Sequence, residues 1–90
     1  MNYVEEYGLI AFSSRQHAIH FCDMLKLAGC PVQLVSTPRE ISLGCGLSIK
    51  FPISLISEVM QVYKRYQYPV TGFYHIKRRG NRNQITRIPC

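Results

Sequence analysis

The hydrophobic pattern changes period along this chain, and each change falls on a turn or cap signal, so the order of elements is the tightest constraint the sequence carries. Tyr7 to Phe12 (YGLIAF) is a short apolar and aromatic run that predicts a strand. Beyond Ser13-Ser14, the residues Ala18, Phe21, Cys22, Leu25 and Ala28 share one face at helical spacing. Ser13 as N-cap with Gln16 three residues on predicts a capping box, and Gly29 before Pro31 predicts the stop. Val32 to Val35 predicts a second strand, which Thr37-Pro38 interrupts, and Ile41 to Gly46 reads as a loop or a distorted strand pair. Leu47, Ile49 and Phe51 then alternate with Ser48 and Lys50, the period of a half-buried strand. Pro52 breaks that strand. Ser54, Leu55, Ile56, Val59, Met60, Tyr63 and Tyr66 mark a second amphipathic helix reaching Gln67, and Pro69 to Ile76 (PVTGFYHI) predicts a fourth strand.

Strand-helix-strand-strand-helix-strand is the order of the ferredoxin-like split βαβ unit, βαββαβ, an α+β fold whose antiparallel sheet takes both helices on one face. The other sheet face is then open to a partner, a ligand or a second copy. With ninety residues the chain has room for one small core, read here as a single domain over residues 1–76. No apolar run is long enough to span a bilayer, and the acidic opening Glu5-Glu6 is not that of a secretion signal, so the expectation is a cytoplasmic protein without membrane contact.

The formal charge of +6 is unevenly spread. Residues 1–76 hold six Lys/Arg against five Asp/Glu, whereas residues 77–90 hold five Lys/Arg and no acid. The segment KRRGNRNQITRIPC has no amphipathic period and reads as a solvated, flexible basic tail that contributes little to stability. Any nucleic-acid affinity it has would be weak, nonspecific and salt-sensitive, through phosphate contacts by Arg78, Arg79, Arg82 and Arg87.

Cysteines stand at 22, 30, 45 and 90, with no C-x-x-C pair, a spacing that argues against a zinc or iron–sulfur knuckle. They are read as free thiols. Cys22 lies on the apolar stripe of the first helix, where it packs as a small hydrophobe. Cys45 lies between Gly44 and Gly46, where open backbone can expose a sulfur and turn N–H groups toward an anion on it. Arg39 and Lys50 are the cations near enough in sequence to favour a thiolate. A second reading fits the same spacing: a tight loop whose glycines serve turn geometry and whose cysteine only packs.

The run TPREISLGCGLSIKF, with YGLIAFSS and its helix before it and VTGFY after it, resembles a small bacterial family described as selenium/sulfur carrier protein-like. The resemblance covers Tyr7 to Tyr74, and its most specific parts are Thr37-Pro38-Arg39-Glu40 and Cys45-Gly46-Leu47. It implies that Cys45 accepts sulfur or selenium as a persulfide or perselenide. Partners implied in the same way are a cysteine desulfurase or a selenium-metabolising enzyme that loads it. Cys30 departs from the family pattern, where an ordinary apolar residue is usual.

Other chemistry has less support. His17 and His20 are three apart on the first helix but lack a third ligand at matching spacing, so no metal site is expected. The aromatics Tyr63, Tyr66, Tyr68, Phe73 and Tyr74 lack the basic-glycine-aromatic strand motif of RNA-binding sheets and read as packing. There is no phosphate loop, serine elbow or carboxylate pair, and no cofactor is expected. Two functions therefore stand at this point: a thiol carrier centred on Cys45, and a non-catalytic binding or regulatory domain that uses the open sheet face, with weak nucleic-acid affinity through its tail.

Overall fold

The computed structural model describes residues 4–41 and 46–89. Their elements, in chain order, are β1 (Val4–Ala11), α1 (Arg15–Leu27), β2 (Gln33–Ser36), β3 (Leu47–Phe51), a 3-10 turn (Ile53–Leu55), α2 (Ile56–Tyr66), β4 (Gly72–Arg79) and β5 (Arg82–Ile88). The strands form one antiparallel sheet in the order β2-β3-β1-β4-β5. The fold is α+β, with five strands where four were expected.

The helix ends follow from backbone bookkeeping. Ser14, not Ser13, is the N-cap of α1: its backbone is extended and its Oγ accepts from His17 N–H at 3.3 Å. A capping box from Ser13 to Gln16 does not form, because the cap sits one residue later and its N3 position is His17, which cannot replace a Glu or Gln. At the other end Gly29, at φ +88, donates to Lys26 O, and Cys30 N–H donates to Leu25 O at 2.9 Å. These two bonds make a Schellman motif, and the buried Leu25 and Cys30 supply its apolar contact. α2 starts without a side-chain cap, after the turn that Pro52 introduces. Glu58 in its first turn and Lys64 and Arg65 in its last complement the helix dipole.

Strand alternation builds two cores. On one face Ile10, Ile49, Phe51 and Phe73 pack with Phe12, with Ala18, Phe21, Cys22 and Leu25 of α1 and with Val59 of α2, so both helices cover the same side. Gly8 is required there: it pairs across the ladder with Phe51, and a Cβ added to it would meet the ring at 2.2 Å. The opposite face, expected to be open because both helices cover the other side, is in part closed. Leu9, Ala11 and Ile76 are buried on it with Ile41, flanked by Tyr7, Val35, Tyr74 and Ile85. Apolar side chains at Leu9 and Ala11 need cover, and the turn after β2 brings Ile41 to provide it.

The basic tail is ordered as sheet. β4 continues past Ile76 to Arg79, and residues 82–88 return along it as β5, so the segment read as a flexible tail is a hairpin arm. Arg79 pairs with Arg82 across the two-residue turn Gly80-Asn81, with Gly80 at φ +56. A glycine of positive φ at the first central position is what such a tight hairpin demands. Among the described residues no helix is long and apolar enough to cross a membrane.

Candidate functional site

The segment joining β2 to β3 is fixed at its base. Thr37 N–H donates to Gly46 O at 2.9 Å, which prolongs the β2–β3 ladder by one rung. The Thr37 hydroxyl meets the hydroxyl of Ser48 at 2.6 Å, and Ser48 is fully buried. Pro38 O then accepts from Ile41 N–H at 3.0 Å, closing a turn over Pro38-Arg39-Glu40-Ile41. That turn delivers Ile41 to the second core and leaves Arg39 and Glu40 exposed. Thr37, Pro38 and Gly46 are thus the frame of the loop. Gly46 itself has φ +75 with nothing within 4 Å of where a Cβ would stand, so its backbone and not its surroundings calls for glycine. Gly44 and Cys45 lie outside the described residues.

Lys50 is engaged elsewhere. Its Nζ lies 3.5 Å from Glu5 Oε1 and 4.5 Å from the centre of the Tyr7 ring. It stands four positions along β3 from Gly46, about 13 Å at the rise of a strand. Burial pushes the Tyr7 phenol above its ordinary range, the Glu5 carboxylate adds to that, Arg78 opposes it, and Glu40 contributes in the same upward direction. Alternation along VEEYGLIA was the available signal for this row, since it puts Glu5 and Tyr7 on the face of Leu9 and Ala11. Sequence reasoning that began the strand at Tyr7 missed Glu5 and its pairing with Lys50.

The two described cysteines are structural. Cys22 is 1% exposed on the inner stripe of α1, and Cys30 is 7% exposed in the Schellman contact. Loss of solvent raises both thiols above their ordinary range; Lys26 opposes and Asp23 reinforces this at Cys22, and Glu58 reinforces it at Cys30. A thiol in that state supplies little of the thiolate that attacks sulfur or selenium.

The histidines also serve packing. His20 Nδ1 bonds the Tyr68 hydroxyl, and the Tyr68 ring stacks on Phe21 at 5.1 Å and meets His17 edge-on at 5.8 Å. His75 Nε2 lies 2.6 Å from Glu6 Oε2 across the β1–β4 ladder. Tyr63 packs edge-on against Phe73 at 5.0 Å, and Tyr74 lies under the Arg87 guanidinium at 5.9 Å. Among the described residues no three His, Cys, Asp or Glu converge as a metal site would need.

The structure defines a small α+β domain in which the segment between the second and third strands is tied at its base and both described thiols are withdrawn into the core. The model of the family described as "Putative Se/S carrier protein-like" matches residues 7–75, and the chain belongs to that family. No curated protein and no solved structure matches the chain significantly.

Proposed function

We propose that this protein is a sulfur or selenium carrier whose cargo is held on Cys45. One observation carries the reading: Cys22 and Cys30 are buried with raised pKa, and the family match spans residues 7–75, which includes Cys45 and excludes Cys90. Of the three cysteines in the family region, Cys22 and Cys30 are committed to the core, and we assign the cargo to the third, Cys45. We read the scaffold as a ferredoxin-like βαββαβ unit extended by β5, a reading supported by the strand order β2-β3-β1-β4 within the sheet.

Loading is a transfer without net oxidation. The Cys45 thiolate attacks the outer sulfur of a donor persulfide, the donor's inner sulfur leaves as thiolate, and Cys45 carries S–SH; a selenium donor gives S–SeH. A cysteine desulfurase or a selenium-metabolising enzyme is the partner class that would supply this donor. Arg39, exposed on the turn beside the loop, is the cation assigned to the sulfur anion, because Lys50 is held by Glu5 and Tyr7. Thr37, Pro38, Glu40 and Gly46 shape the turn and its base, and Gly44 completes the glycine flanks of the cysteine.

The test is alkylation resolved by cysteine across pH, followed by incubation with a cysteine desulfurase and its substrate. Cys45 should react at lower pH than Cys90, and Arg39→Ala should move its midpoint upward. Mass spectrometry should find one added sulfur on Cys45, absent in Cys45→Ser. Two equivalents of a small thiol should remove it as hydrogen sulfide and leave a small-molecule disulfide. A Cys45 that stays inert across the whole range, with no sulfur added at any cysteine, overturns the carrier reading.

A further inference from the structure

The β4–β5 ribbon carries an arrangement that folding alone does not call for. Residues 77–90 contain five cations and no acid, and Lys77, Arg78, Arg79, Arg82 and Arg87 are all exposed on the two strands. β1 places Glu5 opposite Arg78 and Glu6 opposite Lys77, so the base of the arm has acidic neighbours. The outer part has none: Arg79 faces Val4 on one side and Arg82 on the other. Like charges directly opposite each other disfavour a ladder. Neither guanidinium has a hydrogen-bond or ion-pair partner among the described residues, whereas Arg78 is tied to Gly80 O and Arg87 to Thr71 O.

By strand alternation Lys77, Arg79 and Arg82 lie on one face of the ribbon. Facing positions have Cβ atoms about 5 Å apart, and positions two along a strand are about 7 Å apart. A row of cations at that spacing suits a chain of phosphates, and the tight turn at Gly80-Asn81 holds the row in place before any partner arrives. We propose that this ribbon, centred on the facing pair Arg79 and Arg82, binds the phosphodiester backbone of nucleic acid. Bound phosphates neutralise the repulsion between the pair, and the released counterions drive association. The contacts are to backbone and carry no base readout. The surface is separate from the β2–β3 loop at the opposite edge of the sheet, so it stands or falls independently of the carrier reading.

The test uses the full chain and fluorescence anisotropy with labelled single-stranded RNA and duplex DNA of equal length, each titrated at increasing salt. Wild-type protein should bind at low salt with a linear log–log salt dependence. In Arg79→Gln/Arg82→Gln the slope should shrink by about 1.4 on the single strand or about 1.8 on the duplex. A control of equal charge change on the helices, Lys26→Gln/Lys64→Gln, should keep the wild-type slope. The more tightly bound probe identifies the source of the phosphates. Melting of the free proteins controls for folding, and the ribbon variant should be no less stable than wild type, since the substitution removes a repulsion. Absence of binding at low salt overturns the proposal, as does an equal loss of slope in the helix control. Competition by polyglutamate or by anionic lipid vesicles as strong as that by nucleic acid also overturns it, assigning the arm to an acidic protein or a membrane surface.

Discussion

At the scale of single residues, the Thr37–Ser48 pair ties the end of β2 to β3 through a hydroxyl contact with one buried partner. Ser48 is sealed from solvent, while Thr37 is half-buried and can find water when its partner is removed. Ser48→Ala should therefore cost about 0.5–1.5 kcal/mol, whereas Thr37→Val, which strands the buried hydroxyl, should cost about 1–3 kcal/mol. The double variant should be less destabilised than the sum of the two, as a double-mutant cycle by urea unfolding would show. The buried thiols set a pH dependence with a definite sign. Desolvation raises Cys22 and Cys30 in the folded state, so the unfolded chain loses these protons first as pH rises. Their stabilisation is complete below the unfolded thiol pKa of about 8.5 and is lost as pH climbs through the folded values. Urea midpoints measured from pH 7 to pH 10 should fall above about 8.5. Cys22→Ala should flatten that fall, and a rising midpoint would contradict the burial of both thiols.

At the scale of elements, α1 was the most legible because its apolar stripe and its Gly-x-Pro stop are both local signals, and Ala18, Phe21, Cys22 and Leu25 are buried as the stripe requires. Its cap moved by one residue because two adjacent serines can each do the same job, and only backbone geometry separates them. β5 was missed for a different reason. Gly80-Asn81 is a two-residue hairpin signal, but it lies between charged residues, and Ile85 and Ile88 do not alternate in register with each other. Its strand character comes from the partner strand it pairs with, which a local reading does not contain. The Gly8–Phe51 pair likewise depends on register. Gly8→Ala should destabilise the protein by about 1–3 kcal/mol through overpacking, because Phe51 is buried and its ring has nowhere cheap to go. Thermal melting checks this, and Gly8→Ala/Phe51→Leu should recover part of the loss; an unchanged melting temperature in Gly8→Ala would mean that the ring is not held over the glycine.

At the scale of the whole molecule, Thr37-Pro38 was legible as the point where the second strand ends, but the engagement of Lys50 was not, because its partners Glu5 and Tyr7 lie more than forty residues earlier in the sequence. The same long-range pairing decides where the folded body ends. Truncation after Gly80 tests this: were residues 81–90 an unpaired tail, their loss would leave stability nearly unchanged. In the structure β5 pairs along β4 from Arg79 to Phe73, Ile85 packs beside Ile76 in the second core, and Ile88 packs against the helix-side core. Deletion uncovers part of both cores at once and turns β4, which carries the buried Gly72, Phe73 and Ile76, into an edge. Two half-buried isoleucines and a lost ladder amount to roughly 2–4 kcal/mol, or roughly a 10–25 °C fall in melting temperature for a domain of this size. Calorimetry of the truncated chain reads this directly. The repulsion between Arg79 and Arg82 is removed in the same deletion and acts in the opposite direction, so Arg79→Gln in the full chain isolates that contribution. A truncated chain that melts within a few degrees of wild type would return residues 82–88 to the status of an appendage, with the second core around Ile76 closed by Ile41 and its flanking Tyr7, Val35 and Tyr74 without Ile85.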